Sequence, residues 1–267
     1  MPEGDTLHRV AKTLQAALAG KQVTRFETVL PALDRVDDQT PLRGRTIERV
    51  HAIGKHLLIE FSGGLTLRSH LRMNGTWHIY RAGERWMRPR SDMRLAIATE
   101  DFVAVGFNVP VAELLDERAR VRSEELRRLG QDLLGEQFDL AEARERVRAH
   151  GGQEIGNVLL NQRVVAGIGN VYKSELLFIR RLNPFRRVDE LTNDEVDSLL
   201  TTARKLLRHN VERESGRRET RTSMRGEDRL YVYGRAGKPC RRCGTAIEMR
   251  KQGPDARVTF WCGKCQK

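Results

Sequence analysis

The sequence predicts an α+β, multi-domain chain: an antiparallel β-sandwich or barrel with a leading helix, then a helical segment, then a small four-cysteine finger. Three observations carry this. Apolar spacing changes from helical to strand-like near Val23, it returns to helical beyond Leu140, and all four cysteines lie at or after Cys240. With 267 residues, two domains and an appendage are affordable at about 100 to 200 residues per domain.

Taken in order, Leu7, Val10, Ala11, Leu14, Ala17 and Leu18 recur at helical spacing, with Asp5 as the N-cap and Gly20 as the terminator. The N-terminus is therefore anchored. Short β-prone runs follow at 47–53, 56–61, 65–70, 76–80, 93–99 and 102–107, with hairpin turns at Ser62-Gly63-Gly64 and Thr99-Glu100-Asp101. The charged stretch from Asp116 to Arg128 reads as a hinge. Helical periodicity marks 140–150 and 193–211, whereas 155–178, interrupted by Gly167-Ile168-Gly169, reads as two helices joined by a tight turn. The arginine-rich, apolar-poor stretch from Arg213 to Asp228 reads as a mobile loop. The expected domains are 1–115 (β domain), 116–135 (hinge), 136–228 (helical domain) and 229–267 (finger).

A formal charge of +12 and a sequence pI of about 10.1 rest mainly on arginine, whose planar fork suits phosphate, so nucleic acid is the leading partner class. No apolar run approaches the roughly 20 residues of a membrane-spanning helix, mean hydropathy is -0.55, and no export signal is present. The expectation is a soluble, cytoplasmic protein without a membrane partner. Cys240-Arg-Arg-Cys243 and Cys262-Gly-Lys-Cys265, about 18 residues apart, have the spacing of a four-cysteine site for one structural zinc ion. Two disulfides are the alternative, suited to a secreted chain. Between the knuckles, 247–249 and 258–261 read as a hairpin turning at Gly253-Pro254-Asp255, with Arg257 near its tip, where a fixed arginine can meet phosphate.

Gly167-Ile168-Gly169-Asn170-Val171-Tyr172-Lys173 places two glycines, an amide and a lysine where a helix starts. Exposed N–H groups there favour an anion. The chain has no zincin helix, no nucleophile-elbow serine and no evident histidine metal cluster. Pro2 offers a different nucleophile. Removal of Met1 frees a secondary α-amine, with a pKa of about 8 for an α-amine against about 10.4 for lysine. Attack of such an amine on a sugar C1′ is Schiff-base chemistry, and Glu3 beside it can move protons.

Four ordered features, Met-Pro-Glu-Gly, Gly54-Lys55-His56-Leu57, Gln162-Arg-Val-Val-Ala-Gly-Ile-Gly-Asn170 and the paired Cys-x-x-Cys knuckles, resemble the formamidopyrimidine-DNA glycosylase / endonuclease VIII family along the whole chain. Gly4 resembles the endonuclease VIII branch. The resemblance implies a β-sandwich, a helix-two-turn-helix domain and a zinc finger, with damaged double-stranded DNA bound between domains by a monomer. It implies excision of an oxidised base, pyrimidines favoured, and strand cleavage by β,δ-elimination. Pro2 maps to the nucleophile, Glu3 to its acid/base partner, Lys55 to the lysine near the lesion, and Asn170 and Arg257 to phosphate contacts, with Tyr172 and Lys173 beside them. The Leu71–Gly75 turn matches the loop that fills the gap left by a flipped base, with Met73 as wedge and Arg72 and Asn74 as helpers.

The sequence also departs from the family pattern. Asp5-Thr6 stands where a second glutamate is usual, and Gly106-Phe-Asn-Val-Pro110 replaces an Arg-Arg-Phe loop, which argues against an oxidised-guanine specialist. Gly263 and Gln131 replace common prolines. A catalytically silent DNA binder of the same family, and a zinc-ribbon RNA-binding protein, are the competing classes. Only the glycosylase/lyase reading uses Pro2, Glu3 and Lys55.

Overall fold

The structure, a computed structural model, describes residues 2–213 and 229–267. Apart from Arg213, the segment expected to be a mobile loop lies outside the described residues. The chain divides into two compact units, Met1–Arg128 and Leu129–Lys267.

In the first unit, α1 (Gly4–Leu18) buries Leu7, Ala11, Leu14 and Leu18. It starts earlier than the sequence predicts. Glu3, not Asp5, is the N-cap: its backbone is extended, and its carbonyl accepts the N–H groups of Thr6 and Leu7 at 3.0 and 3.2 Å. Asp5 falls inside the first turn, fully buried, where its Oδ1 accepts the Thr6 N–H at 2.8 Å.

The strands are β1 (Arg25–Thr28), β2 (Ile47–Ile53), β3 (His56–Phe61), β4 (Leu65–His70), β5 (Thr76–Arg81), β6 (Met93–Ala98), β7 (Phe102–Phe107) and β8 (Val111–Leu115), with α2 (Pro31–Gln39) between β1 and β2. They form two separate four-stranded antiparallel sheets, β2-β3-β4-β8 and β1-β6-β7-β5, which makes the unit a sandwich rather than a barrel. Ile47, Leu57, Ile59, Phe61, Leu67, Leu95, Ile97 and Ala104 pack with the α1 stripe in one core. Neither β1 nor α2 was legible in the apolar pattern, since β1 is a four-residue edge strand and α2 buries only Leu33. The expected hinge contains two short helices, α3 (Glu117–Arg122) and α4 (Glu124–Arg127), with α3 against β4 and β8. The Asp116 carboxylate caps α3 by accepting the Ala119 N–H at 2.6 Å.

The second unit holds β9 (Gln131–Asp132), α5 (Leu140–Arg148), α6 (Ile155–Val158), β10 (Val165–Ala166), α7 (Asn170–Ile179), α8 (Asn193–Glu212), and the hairpin β11 (Glu248–Gln252) and β12 (Arg257–Trp261). Val196, Leu199, Leu200, Ala203, Leu206 and Leu207 of α8 are buried. A capping box opens that helix: Glu195 N–H donates to Thr192 Oγ1 at 3.1 Å and Thr192 N–H to Glu195 Oε2 at 2.7 Å. The first of the two helices expected in 155–178 is only the single turn α6. Gly156 is pressed there against the Gln252 amide, which a Cβ would meet at 2.5 Å.

Candidate functional site

Three features fix the direction of α1. Gly20 N–H donates to Ile47 O at 2.8 Å, Gln15 accepts the Val50 N–H, and His8 neighbours His51, whose pKa is lowered first by burial and least by His8. The helix thus runs along β2, and its N-terminus, bearing half-buried Pro2 and buried Glu3, points to the end of β2 where Gly54 and Lys55 turn the chain. Lys55 is therefore a turn residue rather than a strand residue. Ile53 pairs with His56 across a two-residue loop, and Gly54 supplies the positive φ (57°) at its first position.

His56 pairs in turn with His70, the last residue of β4, so the Leu71–Gly75 loop leaves the sheet at this same end. Met73 stands 58% exposed on it, the opposite of a core methionine. Gly75 is required there, because a Cβ would lie 2.7 Å from Leu71 O. Register thus gathers Pro2, Glu3, Lys55, Arg72, Met73 and Asn74 at one end of the unit.

Beneath them lies a polar cluster that sequence reasoning did not single out. Buried Arg68 reaches His56 Nδ1 at 3.1 Å and Glu113 Oε2 at 2.7 Å, and the His56 and His70 rings meet edge to face at 5.1 Å. Arginine only donates, so His56 Nδ1 accepts and the ring is neutral. Burial, then His70 and Arg68, pushes its pKa down to about 3. Burial, then Arg72 and Lys55, pushes His70 down to about 4. Neutral His70 accepts the Arg72 N–H at Nδ1, 3.0 Å away, and so ties the exposed loop to the sheet. Only the alternation of polar residues at a strand end could have hinted at this.

In the second unit, Gln162 builds the glycine turn. Its Oε1 accepts the Gly167 N–H at 3.1 Å and its Nε2 donates to Ile168 O at 3.0 Å. Asn170 is the first residue of α7, and its Nδ2 donates to Val258 O at 2.7 Å. Arg257, exposed at the start of β12, is the neighbour of Val258. One carbonyl thus joins the helix start to the hairpin arginine. Lys173, expected beside the phosphate contacts, lies fully buried: its Nζ donates to Thr259 Oγ1 at 2.6 Å and to Val258 O at 3.4 Å. Tyr172 is also fully buried, its hydroxyl accepting from Asn210 Nδ2 at 2.9 Å. Both side chains face the interior because α7 is buried along most of its length between α8 and the hairpin.

The sulfur atoms of Cys240, Cys243, Cys262 and Cys265 lie within 4.8 Å of one another. Tetrahedral zinc with bonds of about 2.3 Å needs sulfurs about 3.8 Å apart, and the Cys240–Cys265 and Cys243–Cys262 pairs lie at 3.9 and 3.5 Å. Hydrogen bonds from Thr245 bring the Cys243 thiol down to about 6, while burial pushes Cys265 up to about 12. A divalent cation is what lets four such sulfurs sit together as thiolates. Filling all four positions with protein sulfur leaves none for a substrate, so the site is structural.

Family models match the chain in three consecutive parts: the formamidopyrimidine-DNA glycosylase N-terminal domain over 1–132, the formamidopyrimidine-DNA glycosylase H2TH domain over 129–222, and the zinc finger found in FPG and IleRS over 237–267. The chain is 44% identical over 269 residues to the probable endonuclease 8 2 of Streptomyces coelicolor, covering 100% of this chain and 94% of that protein. It is 38% identical over 266 residues to the DNA-(apurinic or apyrimidinic site) lyase Nei2 of Mycolicibacterium smegmatis, covering 100% and 99%. Its fold is like that of Lactococcus lactis formamidopyrimidine-DNA glycosylase crystallised on AP-site DNA, with TM-score 0.83, 24% identity and full coverage of both chains. The four cysteines hold one structural zinc, and the chain belongs to the formamidopyrimidine-DNA glycosylase / endonuclease VIII family.

Proposed function

We propose that the protein is a bifunctional DNA glycosylase and AP lyase of base excision repair, acting on oxidised bases in double-stranded DNA. The observation that carries this is the convergence of Pro2, Glu3, Lys55 and the Leu71–Gly75 loop on one end of the sandwich. The Pro2 amine attacks C1′ of the damaged nucleotide, the glycosidic electrons leave with the base, and Glu3 carries the protons. As the sugar ring opens, its oxygen takes a proton and the nitrogen becomes an iminium. A secondary amine gives an iminium that is always cationic, so it withdraws electrons at any pH. Loss of a C2′ proton then expels the 3′ phosphate, and a second elimination expels the 5′ phosphate.

Lys55 contacts phosphate beside the lesion, and Asn170 and Arg257 grip the backbone as a coupled pair. Met73, helped by Arg72 and Asn74, fills the gap left by the flipped base. Tyr172 and Lys173 act from inside, holding α7 and the hairpin in place. The Gly106–Pro110 stretch in place of an Arg-Arg-Phe loop favours oxidised pyrimidines. Chemistry falls to 1–115, linkage to 116–135, backbone binding to 136–228 and the finger to 229–267. The enzyme works as a monomer in the cytoplasm. Among the described residues no helix is long and apolar enough to cross a membrane.

Borohydride trapping tests the proposal on duplexes bearing an abasic site, thymine glycol, dihydrouracil or oxidised guanine, with protein confirmed to begin at Pro2. Covalent complexes are expected for the wild type, strongest with abasic and oxidised-pyrimidine DNA, and none for Pro2→Ala. Duplex binding without trapping by either protein would instead identify a catalytically silent binder.

A further inference from the structure

The stretch 82–92 leaves β5 at Arg81 and crosses the outer face of the β1-β6-β7-β5 sheet before β6 begins. Trp86 pins it there, stacked on Tyr80 at 6.3 Å and edge-on to Phe107 at 5.7 Å, with Arg90 over its ring and ion-paired to Glu27. Between this segment and the sheet end lies a cavity of about 750 Å³ lined by Arg25, Arg81, Arg85, Arg88, Trp86 and Met87, among others. That volume is within the roughly 300–1,000 Å³ of ordinary ligand sites.

Its charge is unbalanced. Arg25, Arg81 and Arg85 have no carboxylate partner among the described residues. Glu84, the carboxylate in the lining, is tied to the Arg81 N–H at 2.9 Å. Met87 meanwhile stands 80% exposed at the rim. The cavity is also separate from the proposed active site. Arg81 pairs with Phe102 and Arg25 with Ala98, whereas Thr76, beside the Met73 loop, is at the other end of β5, roughly 17 Å away at about 3.3 Å per residue.

We propose that this cavity docks an acidic peptide segment of a partner protein that carries one aromatic or aliphatic side chain. Guanidinium forks take carboxylates in bidentate fashion, and the apolar side chain packs on Met87 and Trp86. A phosphodiester strand would use the arginines but leave the exposed methionine and the tryptophan beside it without an apolar partner.

The test is fluorescence anisotropy on the full zinc-loaded chain, saturated with unlabelled duplex containing a tetrahydrofuran abasic analogue so that DNA-binding surfaces are occupied. The probes are fluorescein-labelled Asp-Glu-Asp-Phe-Asp-Glu, its Asn-Gln-Asn-Phe-Asn-Gln counterpart and a twelve-nucleotide oligo-dT. Saturable binding of the acidic peptide alone is expected. It should weaken at least tenfold in Arg81→Glu/Arg85→Glu and severalfold in Met87→Asp, with the unfolding midpoint and duplex binding unchanged. Failure of the acidic peptide to saturate, equal binding to the variants, or an oligo-dT affinity that falls in the double variant in place of the peptide's would each overturn the proposal.

Discussion

His70 accepts the Arg72 N–H, and a protonated ring cannot. His70→Phe keeps an aromatic ring but hands that exposed N–H to water, at a net cost of about 0.5–1.5 kcal/mol in loop ordering. We expect lesion-duplex affinity to fall roughly two- to tenfold, with zinc content and unfolding midpoint little changed; gel-shift titration checks this. The depressed pKa values of His56 and His70 also set a pH dependence. Their charged forms are disfavoured in the fold, so the unfolded chain binds more protons at pH values below the ordinary histidine value near 6.5. Their contribution to stability is complete above pH 6.5 and is lost as pH falls toward about 4 and then about 3. The unfolding midpoint should drop between pH 7 and pH 4.5, and drop less steeply in His56→Gln/His70→Gln. No periodicity in the sequence foretold this cluster, because a histidine's partners lie across strands and only register brings them together.

The finger that carries hairpin β11–β12 has only a small apolar cluster, Phe178, Val232, Ile247 and the cysteines with a few half-buried neighbours, so the metal must carry its fold; structural zinc supplies about 10–16 kcal/mol in isolated fingers. Removing zinc with a chelator should abolish duplex binding while the β-sandwich signal in circular dichroism persists. Glu175 anchors the entry to the finger, accepting the N–H groups of Tyr231, Val232 and Tyr233 at 2.7, 2.8 and 2.8 Å. Lys173 anchors its far strand. Lys173→Met should therefore loosen Arg257 relative to Asn170, weakening duplex binding roughly tenfold with zinc retained; zinc quantitation beside anisotropy distinguishes this from loss of the finger. The cysteine spacing made the finger legible, and the Gly253-Pro254-Asp255 turn made its hairpin legible. The burial of Lys173 was not legible, because nothing local to a lysine one turn into a glycine-led helix records that a hairpin 85 residues later covers it.

For the whole molecule, the alternation of apolar residues foretold β2 to β7 closely, and the heptad-like stripe of α8 foretold that helix nearly to its ends. Closure was not legible: sandwich and barrel share the same alternation, and only the pairing order separates them. The candidate site was legible as motifs and not as geometry, because Pro2, Lys55 and Met73 are far apart in sequence and meet only through the direction of α1 and the register of β2, β3 and β4. In the proposed chemistry the Pro2 nitrogen is the atom that bonds to DNA. The most direct test is peptide mass spectrometry of the borohydride-trapped complex after nuclease and protease digestion. The deoxyribose remnant is expected on the peptide that begins at Pro2. A remnant on a lysine such as Lys55, with the N-terminal peptide unmodified, would contradict it.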